Sequence, residues 1–202
     1  MAVRIRSRFH AAGRERSPAE LASVIAALGW KLAIDAIRRM REAQYEIDVG
    51  RTYFEFVSEY LCFVAHAADR MAFARLDAAA REAFTVALVR RSAQFVEDNR
   101  EMRIEPLAAG DSAAAFVDRY NRRGEDYAAC DFGDDGPDFG FRRVFAAGMQ
   151  ELLPEKDRLW AIDQVMDIEV PEAVKALRRT LDGLFDPGAA RPRREGGAVA
   201  GE

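Results

Sequence analysis

The amino-acid sequence predicts an all-α protein, a bundle of about six or seven helices around one buried central helix at about residues 52–75. Three observations predict it. Apolar residues recur at helical spacing in segment after segment, and cap-forming residues precede several of these segments. No run keeps the two-residue period of a strand for a useful length. The stretch from Thr52 to Arg75 is apolar over most of its circumference. Phe54, Val57, Leu61, Val64, Ala68 and Ala72 form one stripe, and Tyr53, Phe56, Tyr60, Phe63 and Ala67 form a second beside it. A helix apolar nearly all round belongs inside a protein.

The elements follow in order. Residues 1–16 carry five arginines against Glu15 and no sustained period, so they are expected to form a basic arm. The arm lacks the apolar core of a secretory signal, and a solvated arm is favoured over an organellar transit peptide. A single helical domain is expected over 17–186 and a disordered tail over 187–202, where the composition falls to Ala, Arg, Gly and Pro. Ser17-Pro18-Ala19-Glu20 is a helix start. Ser17 caps, Pro18 has its φ pre-set, and Glu20 returns a bond to the cap. That helix runs through Leu21, Ile25, Leu28, Leu32 and Ile37 into the charged stretch 38–46, with Gly29 permitting a close neighbour or a mild bend. Gly50 breaks the chain before the central helix. Asp77 starts a helix ending near Asn99 to Arg103, and Pro106 and Gly110 make the next connection irregular. Asp111 or Ser112 starts a helix through Phe116, Tyr120 and Tyr127, weakened in its middle by Gly124. Residues 130–140 are turn chemistry. Helices follow over 141–153, from Pro154, and from Pro171.

Composition narrows the function classes. Half the residues are apolar and 32% are charged, a soluble globular balance. The formal net charge of −4 gives no sign of a strongly basic nucleic-acid-binding domain. The central apolar run is interrupted by Glu55, Glu59, His66, Asp69 and Arg70, so no membrane span is expected. Cys62 and Cys130 read as reduced thiols in a cytoplasmic protein.

On the central helix Glu55, Glu59, Cys62, His66, Asp69, Arg70 and Phe73 fall within an arc of about 100°. Glu55, Glu59, His66, Asp69 and Arg70 are therefore the candidate ligand seam, with Glu59, His66 and Asp69 the candidate metal ligands. Carboxylates and imidazole suit iron, manganese or zinc, and helical bundles build such sites from facing helices. The Glu-x-x-His of di-iron bundles is missing, and His10 lies in the arm. The structural reading is favoured. In it His66 is a hydrogen-bonded core histidine, Asp69 and Arg70 pair with neighbouring helices, and Glu55 and Glu59 face water. No recognised motif requires a cofactor. The acidic loop from Asp131 is no EF-hand, because Arg142 stands where the bidentate Glu belongs. Cys62 lies four residues before His66, but a thiol in an apolar helix is ordinarily inert packing.

The segment Phe63-Val-Ala-His66-Ala-Ala-Asp69-Arg70-Met-Ala-Phe73, and with it Tyr120 to Arg123 and Tyr127-Ala128, resembles segments of uncharacterised bacterial all-helical proteins. The resemblance implies a bacterial helical protein and carries no activity. TetR-type regulators share the size and helicity, yet residues 18–50 read as one long helix where those proteins place a helix-turn-helix.

The expectation from sequence is a non-catalytic cytoplasmic bundle acting through protein–protein contacts or self-association. A metal- or small-ligand-binding bundle using the seam is the second expectation, and a TetR-like regulator the third.

Overall fold

The computed structural model describes residues 16–48, 50–101 and 111–186. Among them the chain forms α1 (Pro18–Glu42), α2 (Arg51–Phe73), α3 (Ala78–Glu101) and α4 (Asp111–Ala128). A hairpin of β1 (Phe132–Gly133) and β2 (Gly136–Pro137) leads to α5 (Phe139–Leu152), α6 (Glu155–Gln164) and α7 (Val170–Phe185). The fold is an all-α bundle. The expected basic arm apart from Arg16, the expected tail after Asp186, and Pro106 and Gly110 lie outside the described residues.

Local signals in the sequence set most helix starts. Ser17 Oγ accepts the Glu20 amide at 3.3 Å while Glu20 Oε2 accepts the Ser17 amide at 2.9 Å, which satisfies two free donors at the start of α1. The Asp77 carboxylate accepts the Ala80 amide at 2.8 Å before α3, and Asp138 accepts the Phe141 amide at 2.6 Å before α5. α1 ends earlier than its charged continuation suggests, at Glu42, where Gln44 takes a φ of 70°.

The central helix lies where the sequence puts it, at 51–73 rather than 52–75, and α1, α3, α4, α5 and α7 all pack on it. Phe56, Tyr60, Leu61, Cys62 and Phe63 have no exposed surface. Phe63 stacks on Phe145 of α5 at 4.3 Å, and Tyr60 meets the same ring edge-on at 5.3 Å. Each such pair contributes about 0.5–1.5 kcal/mol beyond burial. Gly29 provides the close approach of α1, since a Cβ there would lie 3.0 Å from Val64 Cγ1 and 3.1 Å from Leu61 Cδ2.

Two features depart from the sequence reading. The acidic loop contains an antiparallel pair, Phe132 opposite Pro137 and Gly133 opposite Gly136, with Gly136 at φ +116°. Two residues a strand is too short to show a period, and the turn uses glycine for the left-handed backbone. The second departure is the link before the last helix, which opens at Val170 with Pro171 in its first turn as expected but without a break before it. α6 runs into α7 through a π-helical turn, Val165–Glu169, where the Val170 amide bonds the Val165 carbonyl. Proline lacks an amide and its ring crowds the carbonyl four residues back, so the helix widens by one residue instead of breaking.

Candidate functional site

The seam of α2 contains a carboxylate with no access to water. Glu59 is wholly buried, which corrects the expectation that it faces solvent. Arg119 Nη1 donates to its Oε2 at 3.0 Å, and Arg123 Nε donates to its Oε1 at 2.7 Å. Both arginines come from α4, one turn apart, so they present two forks to one acid. The third wall is backbone. A Cβ on Gly148 of α5 would lie 2.3 Å from Glu59 Oε1 and 2.6 Å from Arg123 Nη2. Glycine is what leaves room there for an ion pair. Two guanidiniums share this carboxylate, and Arg123 reaches outward to Asp126 at 3.4 Å and Glu151 at 3.6 Å.

His66 lies two turns further along. Its Nε2 is 3.2 Å from the Tyr120 carbonyl, its ring stacks on Tyr120 at 4.2 Å and 1°, and Tyr127 is tilted against it at 4.7 Å. Burial lowers its pKa to about 4, against a smaller opposing effect of the Tyr120 carbonyl, so it is neutral at pH 7. Gly124, expected to weaken α4, gives the imidazole space, since a Cβ there would be 3.5 Å from Cε1. The Tyr127 hydroxyl is buried without a hydrogen-bond partner, and burial raises its pKa well above the usual value. Burial also pushes up the thiol of Cys62, which suits packing rather than nucleophilic attack.

The remaining seam residues face separate partners. Asp69 takes a two-point bond from Arg81 of α3, with Nε at 2.9 Å, and a third from Thr85 Oγ1 at 2.7 Å. Arg70 donates to the Tyr127 carbonyl at 3.0 Å. Glu55 pairs with Arg51 one turn back at 2.6 Å. Among the described residues no three His, Cys, Asp or Glu side chains come together as a metal-ligand group.

A second buried acid is missing from the sequence reading. Glu169, in the π turn, accepts from Arg39 Nη2 at 2.5 Å and from Gln164 Nε2 at 3.2 Å. Beside it the Tyr60 hydroxyl is buried and unpartnered, and burial raises its pKa. Neither Glu169 nor the Arg119–Arg123 pair carries a local signal. Both are defined by contacts between segments far apart in the chain.

Clefts lined by described residues include two on the surface. One, about 520 Å³, lies where the first turns of α2 and α4 meet, and Ser58, Arg119 and Arg122 are among its walls. The other, about 420 Å³, lies by the ends of α2 and α7 beneath the hairpin. On α6, Leu159 and Trp160 are 72% and 64% exposed. No described helix is long and apolar enough to cross a membrane. No protein-family model matches this chain, and neither a curated protein nor a solved structure matches it.

Proposed function

We propose that this chain is a non-catalytic cytoplasmic helical-bundle protein that works through protein–protein contact, with a second copy of itself as the partner at α6. One observation carries the reading. Lys156, Leu159, Trp160 and Asp163 are all exposed and recur at helical spacing, so they form one face with an apolar centre, a cation at one end and an anion at the other. A two-fold axis between residues 159 and 160 sets Lys156 of each copy opposite Asp163 of the other and packs the apolar pairs together. Such self-complementarity is what a two-fold interface requires.

The energetics point to a weak dimer. Burying four large apolar side chains yields gross stabilisation of at most about 6–12 kcal/mol, against an association cost of about 4–15 kcal/mol. Lys156 already pairs with Glu46 at 2.6 Å, but both are exposed, and water and salt screen such a pair so that it is readily exchanged. The internal pairing of Glu59 and Asp69 and the burial of Cys62 support a structural role for those groups.

Sedimentation velocity over a concentration series tests the reading. Lys156→Asp and Asp163→Lys should each weaken association, and the double variant should restore it. A chain that stays monomeric throughout, or two single variants that associate like the wild type, would overturn it.

A metal- or small-ligand-binding role for Glu59, His66 and Asp69, with Glu55 and Arg70, is the second reading. The unpartnered Tyr127 hydroxyl beside His66 favours it. A stoichiometric metal lost in His66→Ala would establish it. A TetR-like regulator ranks third, since α1 runs unbroken from Pro18 to Glu42 where those proteins turn. A salt-dependent shift with duplex DNA would raise it.

A further inference from the structure

From the cleft beneath the hairpin, between the ends of α2 and α7, we infer that the protein binds a small zwitterion with an aromatic side group, a free α-amino acid. Its volume of about 420 Å³ falls within the range of about 300–1,000 Å³ usual for small-molecule sites. Unpaired charges of both signs stand there beside an apolar wall.

Arg70 and Arg178 line the cleft, and each donates to a backbone carbonyl, Arg70 to that of Tyr127 at 3.0 Å and Arg178 to that of Asp134. Neither forms an ion pair with a described residue. One carbonyl uses a fraction of a guanidinium's five donors, so both can still grip a carboxylate. The Asp134 carboxylate also lines the cleft, is exposed and bonds no described residue. Its carbonyl holds Arg178 while its carboxylate stays outside ion-pair distance, so neighbouring groups of one wall accept opposite charges without cancelling each other. An α-amino acid carries the matching pair, ammonium and carboxylate, on a single carbon.

The charge balance argues against a bare anion. Arg75 is met by two carboxylates, Asp182 at 2.6 Å and Asp186 at 3.4 Å. Their excess charge and that of Asp134 together offset Arg70 and Arg178. Both helices also end at the cleft, and the negative end of a helix dipole favours an ammonium.

The apolar wall suits an aromatic side group. Phe73, Phe132 and Phe185 line it, and Phe73 is 67% exposed. Each ring is held in place by a neighbour. The Arg81 guanidinium lies 4.9 Å from the centre of Phe73, Arg75 lies 5.6 Å from that of Phe185, and Phe132 meets Phe141 edge-on at 5.2 Å. A ligand ring entering here gains aromatic contact with little reordering of the wall.

No residue of α6 lines this cleft, so the site stands or falls apart from the dimer. The probe is L-phenylalanine, titrated into the full chain at pH 7 and constant ionic strength and followed by amide ¹H–¹⁵N shifts. Hydrocinnamate, which lacks the ammonium, and phenethylamine, which lacks the carboxylate, are the controls. Phenylalanine should give saturable shifts at Phe73, Ala74, Phe132 and Gly133 and bind at least about threefold tighter than either control. Asp134→Asn, which removes no side-chain contact with a described residue, should weaken phenylalanine at least about threefold and leave hydrocinnamate no weaker. Arg70→Gln, which keeps a donor for the Tyr127 carbonyl, should weaken phenylalanine and hydrocinnamate alike, by about tenfold. Absence of a saturable shift, a control that binds as tightly as phenylalanine, or an Asp134→Asn protein that binds it like the wild type would overturn the inference. Cleft resonances that move with protein concentration and not with phenylalanine would overturn it in favour of a second copy of the chain.

Discussion

Gly148→Ala is the substitution for which the geometry yields a magnitude. The added Cβ would lie 2.3 Å from Glu59 Oε1 and 2.7 Å from its Cδ. Non-bonded heavy atoms settle at about 3.5–4.0 Å, so the carboxylate must retreat by roughly 1 Å. That carries the 2.7 Å bond to Arg123 beyond hydrogen-bond range while Arg119 keeps its hold on the other oxygen. Breaking a buried ion pair outright costs about 3–5 kcal/mol, and alanine returns up to about 1 kcal/mol of helix propensity. The expected net loss is about 2–4 kcal/mol, read by urea unfolding at pH 7 with the wild type alongside. In a Glu59→Ala background the same substitution should cost less than about 1 kcal/mol, because the carboxylate has gone and Arg123, whose Nη2 is the other obstructing atom at 2.6 Å, is free to swing outward toward Asp126 and Glu151. A Gly148→Ala protein as stable as the wild type would refute the reasoning.

Other outcomes follow from the same contacts. His66 has its pKa lowered to about 4 from the ordinary 6.5, so the unfolded chain binds the extra proton between those values. Its contribution is complete above about pH 6.5, falls by about 3 kcal/mol as the pH drops to 4, and then levels. His66→Gln should flatten that slope in pH-dependent urea unfolding, and an unchanged slope would contradict the assignment. Tyr60→Phe removes a buried hydroxyl that bonds nothing, so calorimetry should find the variant equal to the wild type or up to about 1 kcal/mol more stable. Elemental analysis of protein purified without chelator or affinity metal should find no stoichiometric metal in the wild type or in His66→Ala.

The fold was legible where its causes are local. The Ser17–Glu20 capping box, the Asp77 cap and the two apolar stripes of α2 are all written in neighbouring residues, and each has its structural counterpart. The site was legible in half. Spacing along α2 brings Glu59, His66 and Asp69 to one side of the helix, but it cannot say what faces them. Their partners sit on α4 and α3, and the space for the Glu59 pair comes from a glycine 89 positions away by sequence number. Glu169 escaped notice for a related reason. Its burial depends on Arg39, 130 residues distant, and on a helix widened at Pro171, which by itself reads as an ordinary helix start.

The self-association reading is tested most directly by the environment of Trp160 itself. Trp30 is the only other tryptophan, so the difference in emission between the wild type and Trp160→Phe isolates the α6 indole. That signal should resemble a solvated indole in dilute protein and move to shorter wavelength as concentration rises, and Leu159→Asp should abolish the shift. A Trp160 signal that stays solvated over the whole concentration range would contradict the account.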